Sequence, residues 1–142
     1  MQRVTHFFWA SLPRLLFAGG IVFVGFVVLG EGMCGNSVVQ EATSPGKHAK
    51  AIVFQRDCGA TTGFTTHVSV IGTGGSLPNK GGNLLVVDTD NGMAPRGPHG
   101  GPTVSIEWQE EGLLVVRHHP AVRKHRQEYE LEGVRVRYER DW

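Results

Sequence analysis

Outside its N-terminal segment the sequence has no excess of either charge: with Arg3, Arg14 and Glu31 set aside, 12 basic and 12 acidic residues remain. Binding to nucleic acid needs Lys and Arg gathered on one face, so no nucleic-acid footprint is present. Long helical periodicity is also missing, while 20 glycines in 142 residues supply frequent turns, and together these favour an all-β body. Several chemical signatures are absent. No G-x-S-x-G sets a serine on a strained, exposed turn. "GTGGSLPNKGG" lacks the G-K-[ST] order of a phosphate loop, and no helix is expected after it. "DTDNG" misses the register and the distal glutamate of a calcium loop. Both segments read as turns, and no cofactor is expected.

What is present begins with an apolar run, Leu15 to Leu29, "LLFAGGIVFVGFVVL", bounded by Arg14 and Glu31. As a helix it would reach roughly 22 Å against a hydrocarbon core of about 30 Å, between a full span and the core of a signal peptide. Arg3 and Arg14 precede it, which keeps the N-terminus cytoplasmic and sends the body across the membrane. Residues 1–33 are therefore expected as a transmembrane anchor or signal helix, and residues 34–142 as one exported domain with a modest core. Three fates stay open: an uncleaved single-pass anchor in the bacterial cytoplasmic membrane, cleavage after a small residue such as Gly30 to leave a secreted or periplasmic protein, and lipidation at Cys34.

Only two cysteines occur, Cys34 and Cys58. Outside the cytoplasm they are expected to pair, and chain entropy gives such a bridge roughly 3 to 4 kcal/mol. A strand is expected over "KAIVFQRD", then a turn at "CGATTG", then a returning strand "FTTHVSVI". That places Phe64, Thr66, Val68 and Val70 on one face and Thr65, His67, Ser69 and Ile71 on the other. Ser44-Pro45-Gly46 marks a turn, "NLLVVD" a short buried strand, and "DTDNGMAPRGPHGGP" a loosely held surface segment. "TVSIEW" and "LLVVRH" suggest a hairpin with Trp108 opposite Leu113 and Ile106 opposite Val115. A last hairpin closing on Glu132-Gly133 pairs Leu131 with Val134 and Tyr129 with Val136. Its outer face then matches Glu130 with Arg135, Glu128 with Arg137 and Arg126 with Glu139.

The candidate chemistry gathers in "RDCGATTGFTTHVSV", where Asp57, Thr61, Thr62 and His67 are the site candidates. Asp57, His67 and Ser69, or Cys58 in place of the serine, are the residue types of a hydrolytic triad. The threonines equally serve as strand formers and turn residues. His99, His118, His119 and His125 invite a metal reading. Adjacent histidines on a strand point to opposite faces, however, so His118 and His119 are not expected to share an ion, and no metal site is expected.

The blocks "SPGKHAKAIVFQRDCGATTGFTTHVSVI", "GGN", "VSIEW" and "GVRVRY" resemble a family of short bacterial proteins with an N-terminal membrane segment and a domain of unknown function, marked by a CGATTGF-type motif. The resemblance implies an exported β domain and brings no activity with it. The turn "SPGK" departs from the family pattern, which has an Asp or Asn before the glycine. "SPGKHAKAIVF" and "VSIEWQEEGLLVV" also look like propeller-blade strands, but the body is too short for four blades and has no clear repeat. A small antiparallel sheet or curled sandwich of about six or seven strands is the expectation. Its expected role is a noncatalytic cell-envelope domain that contacts an envelope protein or component through a sheet edge or the Asp88 to Pro102 loop. The alternative is a small periplasmic hydrolase using His67 with Ser69 or Cys58.

Overall fold

The structure, a computed structural model, describes residues 34–59 and 63–140. The expected helix within residues 1–33, and Thr61 and Thr62, lie outside the described residues. Within them the chain is all-β, with nine strands and no helix. One sheet is antiparallel throughout and runs β1 (Gly35–Thr43), β2 (Ala49–Asp57), β3 (Thr65–Gly72), β4 (Leu85–Asp88), β7 (Arg123–Gln127). The other runs β5 (Val104–Glu110), β6 (Leu113–His118), β9 (Val134–Arg140), β8 (Glu130–Leu131), and is mixed because β6 and β9 are parallel. Nine strands replace the expected six or seven for two reasons. The segment after Cys34 is itself a strand, and the stretch before Glu132 is divided between the two sheets.

That division forms one seam between the sheets. The chain passes from β7 to β8 through Glu128 and Tyr129; the Glu128 amide donates to the Leu84 carbonyl at 3.0 Å and its carbonyl accepts from the Tyr138 hydroxyl at 2.6 Å. The opposite seam is made by side chains. Gln40 on β1 donates to the Ile106 carbonyl at 3.0 Å and accepts from the Ile106 amide at 3.2 Å, and the Trp108 indole donates to the Ala42 carbonyl at 2.9 Å. A carboxamide thus takes the place of a strand partner for Ile106 on β5.

The core lies between the sheets, and alternation explains its membership. Ala51 and Val53, Val68 and Val70, Leu85 and Val87 meet Val104 and Ile106, Leu114 and Val116, Val134 and Val136. The expected β2/β3 hairpin forms, with Phe54 opposite His67 and Val53 opposite Val68. In the β5/β6 hairpin Trp108 faces Leu114 and Ile106 faces Val116, one residue away from expectation. A bulge between Trp108 and Glu110 absorbs the difference, and the turn tightens to Glu111-Gly112, where Gly112 takes φ +74°. Glu111 is held in place by the Ser44 hydroxyl and the Gly46 amide.

In the last hairpin Leu131 does face Val134 and Glu130 does face Arg135. The two outer charge pairs are not formed, because Arg126 already lies opposite Val86 in the first sheet. Glu139 instead accepts from Arg117 at 2.7 Å, across the parallel β6/β9 ladder. Such half-exposed pairs contribute little stability, so losing the expected ones costs little.

Candidate functional site

The core-facing positions of β2 and β3 are apolar except at one end, where Gln55 lies opposite Thr66 and both are buried. The reason is the loop after β4. The Gln55 amide donates to the Thr66 hydroxyl at 2.7 Å, that hydroxyl donates to the Pro102 carbonyl at 2.6 Å, and the Gln55 carbonyl accepts the Gly101 amide at 3.2 Å. Buried polar groups are tolerated when their bonds are made, and here they fasten the Gly/Pro-rich segment down. Ala94, within that segment, belongs to the core. The expectation of a loosely held loop is therefore corrected. Gly101 is required at its position because a side-chain carbon would run into Gln55 and Thr66. Gly101→Ala is expected to lower the unfolding free energy by roughly 1 to 3 kcal/mol, as overpacking displaces Gln55 from its bonds. A urea-denaturation midpoint equal to the parent's would refute the role given to this glycine.

Docking the loop opens a groove of about 620 Å³ between it and the start of β3. Phe64, Thr65, Asp88, Arg96, Arg123 and His125 are among its lining residues. Arg123 and His125 alternate on β7, so they share a face, and the ladder puts Arg123 opposite Asp88. Asp88 Oδ2 accepts from Arg123 Nη2 at 2.6 Å and lies 2.7 Å from His125 Nε2, while Oδ1 accepts the Asp90 amide at 2.7 Å. Burial alone would raise the Asp88 pKa, but the hydrogen bonds from Arg123, His125 and the Asp90 backbone outweigh it and bring it down to about 2. The charged floor is thus internally neutralised. Asp90 and Asn91 sit at φ +47° and +56°, conformations that Asp and Asn tolerate through local hydrogen bonds. The groove's exposed residues are different in character: Phe64 stands 44% exposed, Arg96 is exposed, and Met93, next in sequence to the lining Gly92, is 70% exposed.

The sequence-level candidates do not assemble into a triad. Asp57 accepts the Gly59 amide at 2.9 Å in a local turn. His67 and Ser69 share a face as expected, yet each is engaged elsewhere. The Ser69 hydroxyl accepts the Asn83 amide at 3.2 Å, and His67 Nδ1 accepts the Gly82 amide at 2.9 Å. That bond fixes the neutral tautomer, leaving Nε2–H to donate to the Thr65 hydroxyl at 2.7 Å. His67 stacks on Phe54 with ring centroids 5.2 Å apart and is 5% exposed. Burial, helped by the nearby charges of Arg56 and His125, lowers its pKa to about 4. It lies one hydrogen bond behind the groove, through Thr65, and does not line it. Cys58 is joined to Cys34 in a disulfide, as expected, and is not a free thiol.

The histidines of the metal reading are dispersed. His125 binds Asp88, His119 Nδ1 accepts the Ala121 amide at 3.1 Å, and His118 is buried on β6. No group of three metal-ligating side chains occurs among the described residues. What the sequence missed is the Asp88, Arg123, His125 cluster, because its members are 35 and 37 positions apart and meet only through the β4/β7 ladder.

No family model, curated protein or solved structure matches this chain. The functional reading therefore rests on the geometry.

Proposed function

We propose that this protein is a noncatalytic binding module, carried outside the cytoplasmic membrane on its N-terminal segment, that docks an envelope protein in the groove between Phe64 and the Asp88 to Pro102 loop. The observation that supports it most is the contrast at that groove: a floor whose charges are mutually satisfied, lined also by exposed Phe64 and Arg96, with exposed Met93 following the lining Gly92 in sequence. Exposed aromatic, methionine and arginine side chains are the types enriched where proteins meet. The partner offers an apolar side chain to Phe64 and a carboxylate to Arg96. The disulfide supports the compartment, because such bonds persist where the medium is oxidising.

The test is site-specific photocrosslinking in the native membrane, with the probe at Met93 and, as a control, at Glu132 on the far turn. One reproducible adduct from Met93, lost in Phe64→Ala and Arg96→Glu variants and absent from Glu132, is the expected result. Equal labelling from both positions would refute the docking groove.

A further inference from the structure

A second concavity, of about 330 Å³, is lined by His118, Lys124, Gln127, Tyr129, Arg137, Tyr138 and Arg140, together with Val136. Of the three cations that contribute to it, Arg137 is paired with Glu139 at 3.3 Å, which leaves Lys124 and Arg140. At its base the His118 side chain is fully buried, and Nε2 makes no hydrogen bond. Nδ1 lies 2.9 Å from the His119 carbonyl, an acceptor only, so Nδ1 carries the proton and Nε2 presents an unused lone pair. A buried acceptor left in this way is costly, and the native fold retains it.

The same tautomer suits a metal ligand, but the surroundings do not. Burial holds His118 below its ordinary pKa, opposed by the bond to the His119 carbonyl and helped by the positive charges of Lys124 on β7 and Arg140 on β9 and by His119. Tyr138 on β9 and Tyr129 are the other titratable groups beside it, Arg137 being turned to Glu139 and Gln109, and Val104, opposite on β5, adds none. The Tyr138 ring stands 6.1 Å from His118 and 5.4 Å from Tyr129, and its hydroxyl is occupied by the Glu128 carbonyl. What fits is an anion that brings its own proton. A lone pair beside two cations is complementary to an oxyanion bearing one O–H donor.

We propose that this concavity binds a phosphate group, its charge taken by Lys124 and Arg140 and its P–OH donated to His118 Nε2. Phosphate retains an ionisable proton at neutral pH, whereas sulfate has none to give. Because Nε2 is fully buried, a side chain lining the site must move aside before a phosphate oxygen can reach it. The phosphate comes either free or as the monoester headgroup of a lipid. This inference stands apart from the docking groove and shares no residue with it.

The experiment is titration of the full-length protein at pH 7.5 with inorganic phosphate, with sulfate, and with vesicles containing phosphatidic acid, read by calorimetry and by the ¹⁵N signal of the His118 ring. Expected is saturable binding of phosphate, free or on vesicles, at least tenfold tighter than sulfate, with the Nε2 resonance shifting as it gains a donor. Whichever arm saturates identifies the source. Lys124→Ala with Arg140→Ala, at positions that leave the core intact, should weaken binding at least tenfold. His118→Phe should abolish the preference for phosphate over sulfate. No saturation in either phosphate arm, equal affinity for sulfate, or unchanged binding in the lysine and arginine variant would overturn the proposal.

Discussion

Replacing Cys34 and Cys58 together with serine is expected to lower the unfolding free energy by roughly 3 to 4 kcal/mol. The disulfide joins the residue just before β1 to the end of β2, and these two strands already pair from Gly35 opposite Asp57 to Thr43 opposite Lys50. Its stabilisation therefore comes from the denatured chain, whose freedom it restricts, more than from any contact added to the folded ladder. For a domain of about 110 residues with a total stability of order 10 kcal/mol, that is a large share. Urea denaturation of the oxidised and serine forms measures it directly. A midpoint unchanged by the double substitution would mean that the denatured state is not restrained by the bridge.

Acidification supplies the second large effect. The His67 pKa falls from 6.5 in the unfolded chain to about 4 in the folded one, chiefly because the ring is buried against Phe54 and beneath Gly81 and Gly82. Between those values the unfolded state binds a proton that the folded state refuses, so stability is complete above pH 6.5 and declines as pH drops toward 4. The accumulated loss is on the order of 3 kcal/mol. His118 is lowered in the same direction by its own burial and adds to the slope. Asp88 works below this window, since its lowered pKa makes its contribution disappear only as pH falls from about 4 toward 2. Denaturation midpoints taken between pH 4.5 and pH 7.5 should fall steadily on the acid side. His67→Gln, which keeps an acceptor for the Gly82 amide, should flatten that decline without removing it. Wild-type midpoints independent of pH over this range would be incompatible with a buried neutral His67.

Local pattern was the legible part of the fold. Alternation in "KAIVFQRD" and "FTTHVSVI" predicts the two strands and their faces, with Thr66, Val68 and Val70 on one side and His67 and Ser69 on the other, because successive side chains in a strand point to opposite faces. The Glu132-Gly133 turn is legible for a similar reason: both residues take positive φ, at +50° and +82°, and the glycine adopts it freely. The β5/β6 register was not legible, because the bulge at Trp108 to Glu110 depends on Glu111 being captured by Ser44 and Gly46 from a distant turn. Nor was the division of β7 from β8, which depends on β4 being there to accept Arg123 to Gln127.

The candidate site followed the same rule. Asp57, His67 and Ser69 stand close in sequence, yet each finds a backbone partner of its own, because neighbouring loops bring amide donors nearer than any triad member. Gln55 and Thr66 interrupt an apolar face in a way visible in the sequence, but the loop they fasten is identified only once Gly101 and Pro102 are seen between them.

By itself the sequence determined the all-β class, the strand periodicity, the first hairpin and the cysteine pair, all of which follow from short-range sterics, alternation and composition. Tertiary structure alone decided which strand edges meet, which loop is docked, where Asp88 finds Arg123 and His125, and that His118 is sealed among cations with a lone pair unused. Those outcomes depend on contacts between residues far apart in the chain, and no local property of either partner encodes them.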